Sequence, residues 1–193
     1  LPALQPTRVL GTVDRPISAV THDSRSAGPD DLFVAIIGAF NDARRFVPGL
    51  KVAAVVCESD VEADPGVTVI VVENARLALA RAAAELAGNP AQQMKVIGLT
   101  GTNGKTTTSF LIESIAAAAG LQSGVIGTTG HRVGNRPLPA AHTTPEAPVL
   151  QDLLAQMRDA QCELVAMEVS SIGLSMHRVD AIPFAVGIFT NFT

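Results

Sequence analysis

Within Gly98-Leu99-Thr100-Gly101-Thr102-Asn103-Gly104-Lys105-Thr106-Thr107-Thr108, the spacing of glycine, lysine and hydroxyl side chains suits the capture of a polyphosphate. The stretch follows an apolar run, Val96 to Leu99, and precedes an amphipathic run from about Ser109, so it reads as strand, phosphate loop and helix. Phosphate oxygens need several converging backbone N–H donors. Glycines let the chain curl tightly enough to present them, and the helix adds the positive end of its dipole. Gly101, Thr102, Asn103, Gly104, Lys105, Thr106 and Thr107 are the candidates for the cradle. Lys105 supplies charge for the outer phosphates, and Thr106 the hydroxyl ligand of a magnesium ion. The common spacing places a glycine five residues before Gly104, where Leu99 stands, so the loop is a variant one. ATP and Mg2+ are the expected ligands.

Parallel strands must carry such a loop, and the pattern supplies them. Arg8 to Val13, Ile17 to Val20, Leu32 to Ile37, Ala53 to Cys57 and Val67 to Val72 read as strands, followed by a helix that Asn74 caps and Gly88 and Pro90 stop. Gly88 to Gln93 reads as a linker, which puts a small mixed α/β domain at 1–90 and a second domain at 94–193. In the second, Leu111, Ile115 and Ala118 at i, i+4 and i+7 give the loop's helix one apolar face, and Gly120 ends it. Val125-Ile126 is a short strand, 127–141 is a long polar loop, and Thr144 with Pro145 starts a helix carrying Leu150, Leu153, Leu154 and Met157. Leu164 to Met167 and Phe184 to Phe189 complete a doubly wound parallel sheet, the expected P-loop ATPase architecture.

Ligands gather at the carboxyl ends of such strands, and Glu168 lies there. It reads either as a magnesium ligand, direct or through water, or as a strand-end carboxylate bonded to nearby N–H groups. Lys105 and Glu168 are the catalytic candidates. Asp23-Ser24-Arg25, taken alone, reads as a side-chain-capped turn. His22, His131, His142 and His177 lack metal-ligand spacing, and no nucleophile elbow surrounds Ser170 or Ser171.

Composition excludes several classes. A net charge of −4 and seven Phe with no Trp or Tyr argue against a nucleic-acid binder. No apolar run has the length of a membrane span. Cys57 and Cys162 read as reduced thiols of a cytoplasmic protein, expected to be a monomer.

Taken together, Asp23-Ser24-Arg25, Asp31 to Ala35, Thr100 to Thr108, Thr143-Thr144-Pro145-Glu146, Met167 to Ser171, Arg178-Val179 and Phe189-Thr190-Asn191 resemble the Mur ligase family. Within it, they are similar to the members that add the third amino acid to UDP-N-acetylmuramoyl-L-alanyl-D-glutamate. The resemblance implies an ADP-forming acid–amino-acid ligase of peptidoglycan precursor synthesis, working through an acyl phosphate on the UDP-N-acetylmuramoyl-dipeptide and a free amino acid. It implies that Ser24 and Ala39, Phe40 and Asn41 face the uridine diphosphate, and that His142, Thr143, Thr144, Ser170, Met176 and Arg178 face the muramoyl-peptide. Arg178 is the candidate for the substrate carboxylate, the alternative being a surface salt bridge. Ile172 replaces a common histidine, Met176 a common glutamine, and Phe46 to Ala53 is short for the family, so a helix after the proline is expected to be reduced. The chain ends before the family's carbamylated lysine and third domain, and is expected to be inactive alone. Another Mur-type or folylpolyglutamate-type ligase, a kinase or phosphohydrolase, and a non-catalytic nucleotide-binding fragment remain the alternatives.

Overall fold

The computed structural model describes residues 1–38 and 41–193 and divides into two units, Leu1–Leu86 and Ala87–Thr193. The first holds β1 (Arg8–Leu10), β2 (Ala19–Thr21), β3 (Asp31–Val34), β4 (Ala54–Cys57) and β5 (Thr68–Val71), in the order β1-β5-β4-β3-β2. Neighbours run parallel except β1, which pairs antiparallel with β5. β4 and β5 are buried at every position, as unbroken apolar strands covered on both faces must be. One face meets α1 (Ala75–Leu86), whose small residues Ala75, Ala78, Ala80, Ala83 and Ala84 are buried; the Asn74 carboxamide accepts the Leu77 N–H at 2.9 Å and caps it. On the other face, Phe33, Val55, Cys57, Val69 and Val71 pack with Val47 and Val52. The chain around Pro48 forms no α-helix; a short 3-10 turn, Ala43–Phe46, precedes it.

The second unit contains β6 (Lys95–Thr100), α2 (Lys105–Ala118), β7 (Ser123–Gly127), β8 (Gly130–Val133), β9 (Arg136–Leu138), α3 (Ala147–Asp159), β10 (Leu164–Glu168), α4 (Ser171–Ser175) and β11 (Phe184–Phe189). Its sheet runs β11-β6-β10-β7-β8-β9. The first four are parallel, with Glu168 opposite Leu99 and Phe189 opposite Thr100, so their carboxyl ends converge on one edge. Leu150, Leu153, Leu154 and Met157 of α3 bury against Val96, Ile126, Val165 and Met167.

Five local readings change or sharpen. The polar loop at 127–141 contains the hairpin β8–β9, joined by Gly134-Asn135 and paired antiparallel to β7. α3 starts two residues later, with Glu146 at the N-cap position making no side-chain cap bond and Pro148 in the first turn, while the Thr144 hydroxyl is engaged elsewhere. On α2 the apolar stripe points outward: Leu111 and Ile115 are 57% and 68% exposed, while Ser109 and Ala116 face the sheet. Small inward residues let this helix approach the sheet closely. Within the stretch from Gly88 to Gln93, Pro90–Gln93 is a 3-10 turn whose Ala91 joins the second core, and the division between the units falls just before it, after Leu86. A short helix, α4, follows Ser170 where none is expected.

Candidate functional site

Adjacent parallel strands β6 and β11 bring Thr190 and Asn191 against the phosphate loop. The Thr102 N–H donates to the Asn191 carbonyl at 2.9 Å and the Asn103 N–H to Asn191 Oδ1 at 3.1 Å, while Asn191 Nδ2 donates to the Asn103 carbonyl at 3.1 Å. Thr190 returns its N–H (2.9 Å) and its hydroxyl (3.1 Å) to the Thr100 carbonyl. Gly101 fits only as glycine: its φ is +130°, and a Cβ there would lie 2.2 Å from Thr190 Oγ1 and 2.8 Å from the Asn191 carbonyl oxygen. On sequence grounds Thr190 and Asn191 belong to one landmark of the resemblance, Phe189-Thr190-Asn191, with no site role attached. Their place at the end of a strand neighbouring the loop's own was the further signal.

Beyond this brace the loop opens into α2. Its first intrahelical donor is the Thr108 N–H, which reaches the Gly104 carbonyl at 2.9 Å; the amides of Lys105, Thr106 and Thr107 precede it and have no acceptor within the helix. Lys105 Nζ donates to the carbonyls of Gly101 (2.5 Å) and Thr102 (3.1 Å), which holds the ammonium over the loop. Free amides, a helix dipole and one ammonium at one point make an anion site.

Glu168 lies beside it, 1% exposed. The Thr106 hydroxyl donates to Glu168 Oε1 at 2.8 Å, so the two magnesium candidates are in direct contact. Among the described residues no ion pair joins Glu168 to a base, and no group of three or more His, Cys, Asp or Glu could hold a metal. A hard cation that keeps waters and takes its other ligands from phosphate fits this donor set of one carboxylate and one hydroxyl. A hydroxyl that donates its proton to Glu168 also keeps its lone pairs for the cation.

The candidates for the muramoyl-peptide divide. Thr144 is 1% exposed; its hydroxyl accepts the Ser170 N–H at 3.0 Å and lies 3.1 Å from the Glu168 carbonyl oxygen. Ser170 accepts the Gly173 N–H at 3.0 Å and so caps α4. Arg178 donates to the Thr144 carbonyl at 2.7 Å and pairs with the Glu146 carboxylate. The structure therefore gives Arg178 an internal, mostly buried carboxylate, where the sequence reading offered a substrate carboxylate or a surface bridge. Its Nε is buried without a partner. Thr143 faces the Thr128 hydroxyl at 2.9 Å, His142 is exposed, and Met176 ends α4 half-buried.

Ser24 and Asn41 belong to the first unit, and Ala39 and Phe40 lie outside the described residues. Asp23 and Arg25 form the capped turn read from the sequence, with Asp23 Oδ1 accepting the Arg25 N–H at 3.0 Å. The side-chain bond from Arg25 holds the Asp23 carboxyl well below the usual carboxylate range. Asp42 and Arg44 repeat the arrangement, and the Asp42 pKa falls to about 2, chiefly through its side-chain bond to Arg44. Both cysteines are free and buried, and burial pushes their thiols up. No helix among the described residues is long and apolar enough to cross a membrane.

A strand, a glycine loop and a helix whose first hydroxyl meets an acid from the neighbouring strand define a phosphate-loop nucleotide-binding α/β unit. More narrowly, residues 99–193 match the Mur ligase middle domain. Members of that family are ATP-dependent amide-bond ligases. The chain is 40% identical over 188 residues to the UDP-N-acetylmuramoyl-L-alanyl-D-glutamate--2,6-diaminopimelate ligase of Caldanaerobacter subterraneus subsp. tengcongensis, covering 96% of this chain and 39% of that protein. The same-named ligase of Chlorobaculum tepidum is 44% identical over 181 residues, 92% of this chain and 36% of its own length. A solved structure of a ligase of that name superposes with a TM-score of 0.78 at 25% identity, over 92% of this chain and 37% of the other. The chain thus spans about two fifths of the relatives' length.

Proposed function

We propose that this chain provides the nucleotide-binding unit, and the UDP-sugar-facing unit before it, of a ligase that adds 2,6-diaminopimelate to UDP-N-acetylmuramoyl-L-alanyl-D-glutamate at the expense of ATP. The observation that carries the reading is the contact between Thr106 and Glu168 beside the Lys105 ammonium and the free amides of α2. The relatives' names supply the amino acid and the acceptor. The whole reaction is proposed for a protein of the relatives' length.

Charge explains the arrangement. A substrate carboxylate must approach the γ-phosphate, and each pair of like unit charges near 4 Å costs about 1 kcal/mol in water and about 4 kcal/mol near a protein surface. Lys105 and the amides of Lys105, Thr106 and Thr107 hold the phosphates and offset part of that repulsion. Bound between Thr106, Glu168 and the phosphates, magnesium would add Lewis-acid neutralisation of the transferring group. The carboxylate becomes an acyl phosphate as the bond from γ-phosphorus to the bridging oxygen breaks and ADP leaves. The amino group then displaces phosphate. Thr143, Thr144 and Ser170 stand within one hydrogen-bonded corner of Glu168, which supports their assignment to the muramoyl-peptide side. Ser24 and Asn41 are assigned to the uridine diphosphate.

Calorimetry of ATP with this chain, with and without Mg2+, tests the anchor; the expected result is binding that magnesium tightens. Carboxylate-dependent ADP release, measured with the UDP-muramoyl-dipeptide in a protein of the relatives' length, separates the ligase from a kinase or a phosphohydrolase. ADP release that ignores the dipeptide would overturn the ligase reading.

A further inference from the structure

Thr128, just past the end of β7, holds both oxygens of Glu168. Its N–H donates to Oε1 at 3.2 Å and its hydroxyl to Oε2 at 2.9 Å, while Thr106 donates to Oε1 at 2.8 Å from the phosphate-loop helix. A carboxylate only accepts, so the single hydroxyl proton of Thr128 is committed to Glu168. The Thr143 hydroxyl, 2.9 Å from Thr128 Oγ1, must then be the donor of that pair. Donor directions are therefore set along a row from Thr143 through Thr128 to Glu168, with Thr106 donating from the opposite side.

Counting acceptors locates the open position. A carboxylate offers about four lone-pair sites, two on each oxygen. Oε1 receives two donors and Oε2 one, which leaves a single acceptor site on Oε2. Gly127 makes this clamp possible, since a Cβ there would lie 2.4 Å from Glu168 Oε1.

We infer that Thr128 is a positioning residue for magnesium at the nucleotide site: its two-point grip fixes which oxygen of Glu168 remains open to the cation or its water. Through Thr143 the same grip ties that oxygen to the turn preceding α3. The inference rests on the proposed ATP and magnesium reading.

Thr128→Val tests it, because valine keeps the N–H and the shape and removes the hydroxyl. ATP is titrated calorimetrically into the chain at stepped Mg2+ concentrations and in excess chelator. Outer-shell partners of metal ligands are commonly worth 10–100-fold in metal affinity, so the Mg2+ midpoint for tightened ATP binding rises about tenfold. ATP affinity in chelator stays unchanged, and Thr128→Ser restores the midpoint. An unchanged midpoint in a folded Thr128→Val overturns the inference while leaving the magnesium reading intact. Absence of any Mg2+ effect in the unaltered chain removes the reading beneath it. Amide exchange in the unaltered chain serves if the valine variant does not fold: Thr128 N–H exchange slows on adding Mg2+ to the ATP complex, and equal exchange with and without Mg2+ overturns the inference.

Discussion

The charged side chains of the Asp23 and Asp42 turns in the first unit and those beside the phosphate loop in the second are handled in opposite ways. In the first, Asp23 with Arg25 and Asp42 with Arg44 close on themselves two residues apart, each pair using backbone and side-chain donors of the same arginine. In the second, Lys105 and Glu168 sit close to the phosphate loop, and among the described residues neither has an ion-pair partner; one rests on carbonyls, the other on hydroxyls and an amide. Local pairs shape a turn and leave no net charge for a ligand. An ammonium and a buried carboxylate held by hydrogen bonds alone, with no opposite charge beside them, stand ready for a charged ligand. The difference teaches where to look for chemistry: at charges the fold brings in and leaves uncompensated.

The sharpest way to break the contrast is Gly101→Ala. With φ at +130° and the Cβ pressed against Thr190 and Asn191, alanine costs about 3 kcal/mol and displaces the brace. Nucleotide binding is lost in calorimetry, and the thermal midpoint falls by roughly 5–10 °C. Retention of both would show that the brace is dispensable. Lys105→Ala comes next. Removing charge-assisted contacts worth about 1.5–3 kcal/mol weakens ATP about 10–160-fold while the circular dichroism spectrum stays unchanged. Glu168→Gln raises the Mg2+ required about tenfold with little loss of stability. The amide is accommodated because the Thr128 hydroxyl can turn its proton to Thr143 and accept from the new N–H. Superimposable magnesium titrations would return Glu168 to a purely structural role.

Smaller effects sharpen the same comparison. His131 on β8 is buried, its Nδ1 has no partner, and burial pushes its pKa down. The unfolded imidazole, near pH 6.5, therefore binds a proton that the folded one resists, and stability declines as pH falls below about 6.5. His131→Phe removes that acid limb from thermal melts compared at about pH 7.5 and 5.5; an unchanged limb assigns it elsewhere. Smallest is Asp42→Asn. Its carboxyl is held at about 2, below an unfolded value near 3.9, so its contribution is complete above about pH 4 and fades as pH falls toward 2. At neutral pH the midpoint moves by about 1–2 °C at most, since the pair is exposed. A larger drop would mean that the pair braces more than its own turn.

Much of this was legible in the residues. The phosphate loop, the parallel strands β6, β10 and β11, and the position of Glu168 all follow from local patterns: glycines, unbroken apolar runs and a strand-end acid. The face of α2 was not, because periodicity shows that a stripe exists and not which side the sheet takes; Ser109 and Ala116 face inward because close approach favours small residues. Gly134-Asn135 did carry a hairpin signal, hidden within a run rich in turn formers. Arg178 and Thr144 were legible as important and not as to partner, since Glu146 and Ser170 reach them only in three dimensions. Thr128, Thr190 and Asn191 lie in no motif that chemistry alone would flag.

The staple between Asn191 and Asn103 spans 88 residues of sequence. A ribosome adding about 5–20 residues per second takes roughly 4–18 s to pass from one to the other. During that interval the nascent chain carries every residue of the phosphate loop, including its lysine, without the braces from Thr190 and Asn191. Closing so long a loop costs entropy before the contact repays it, so the cradle should be among the later parts of the unit to take its final form.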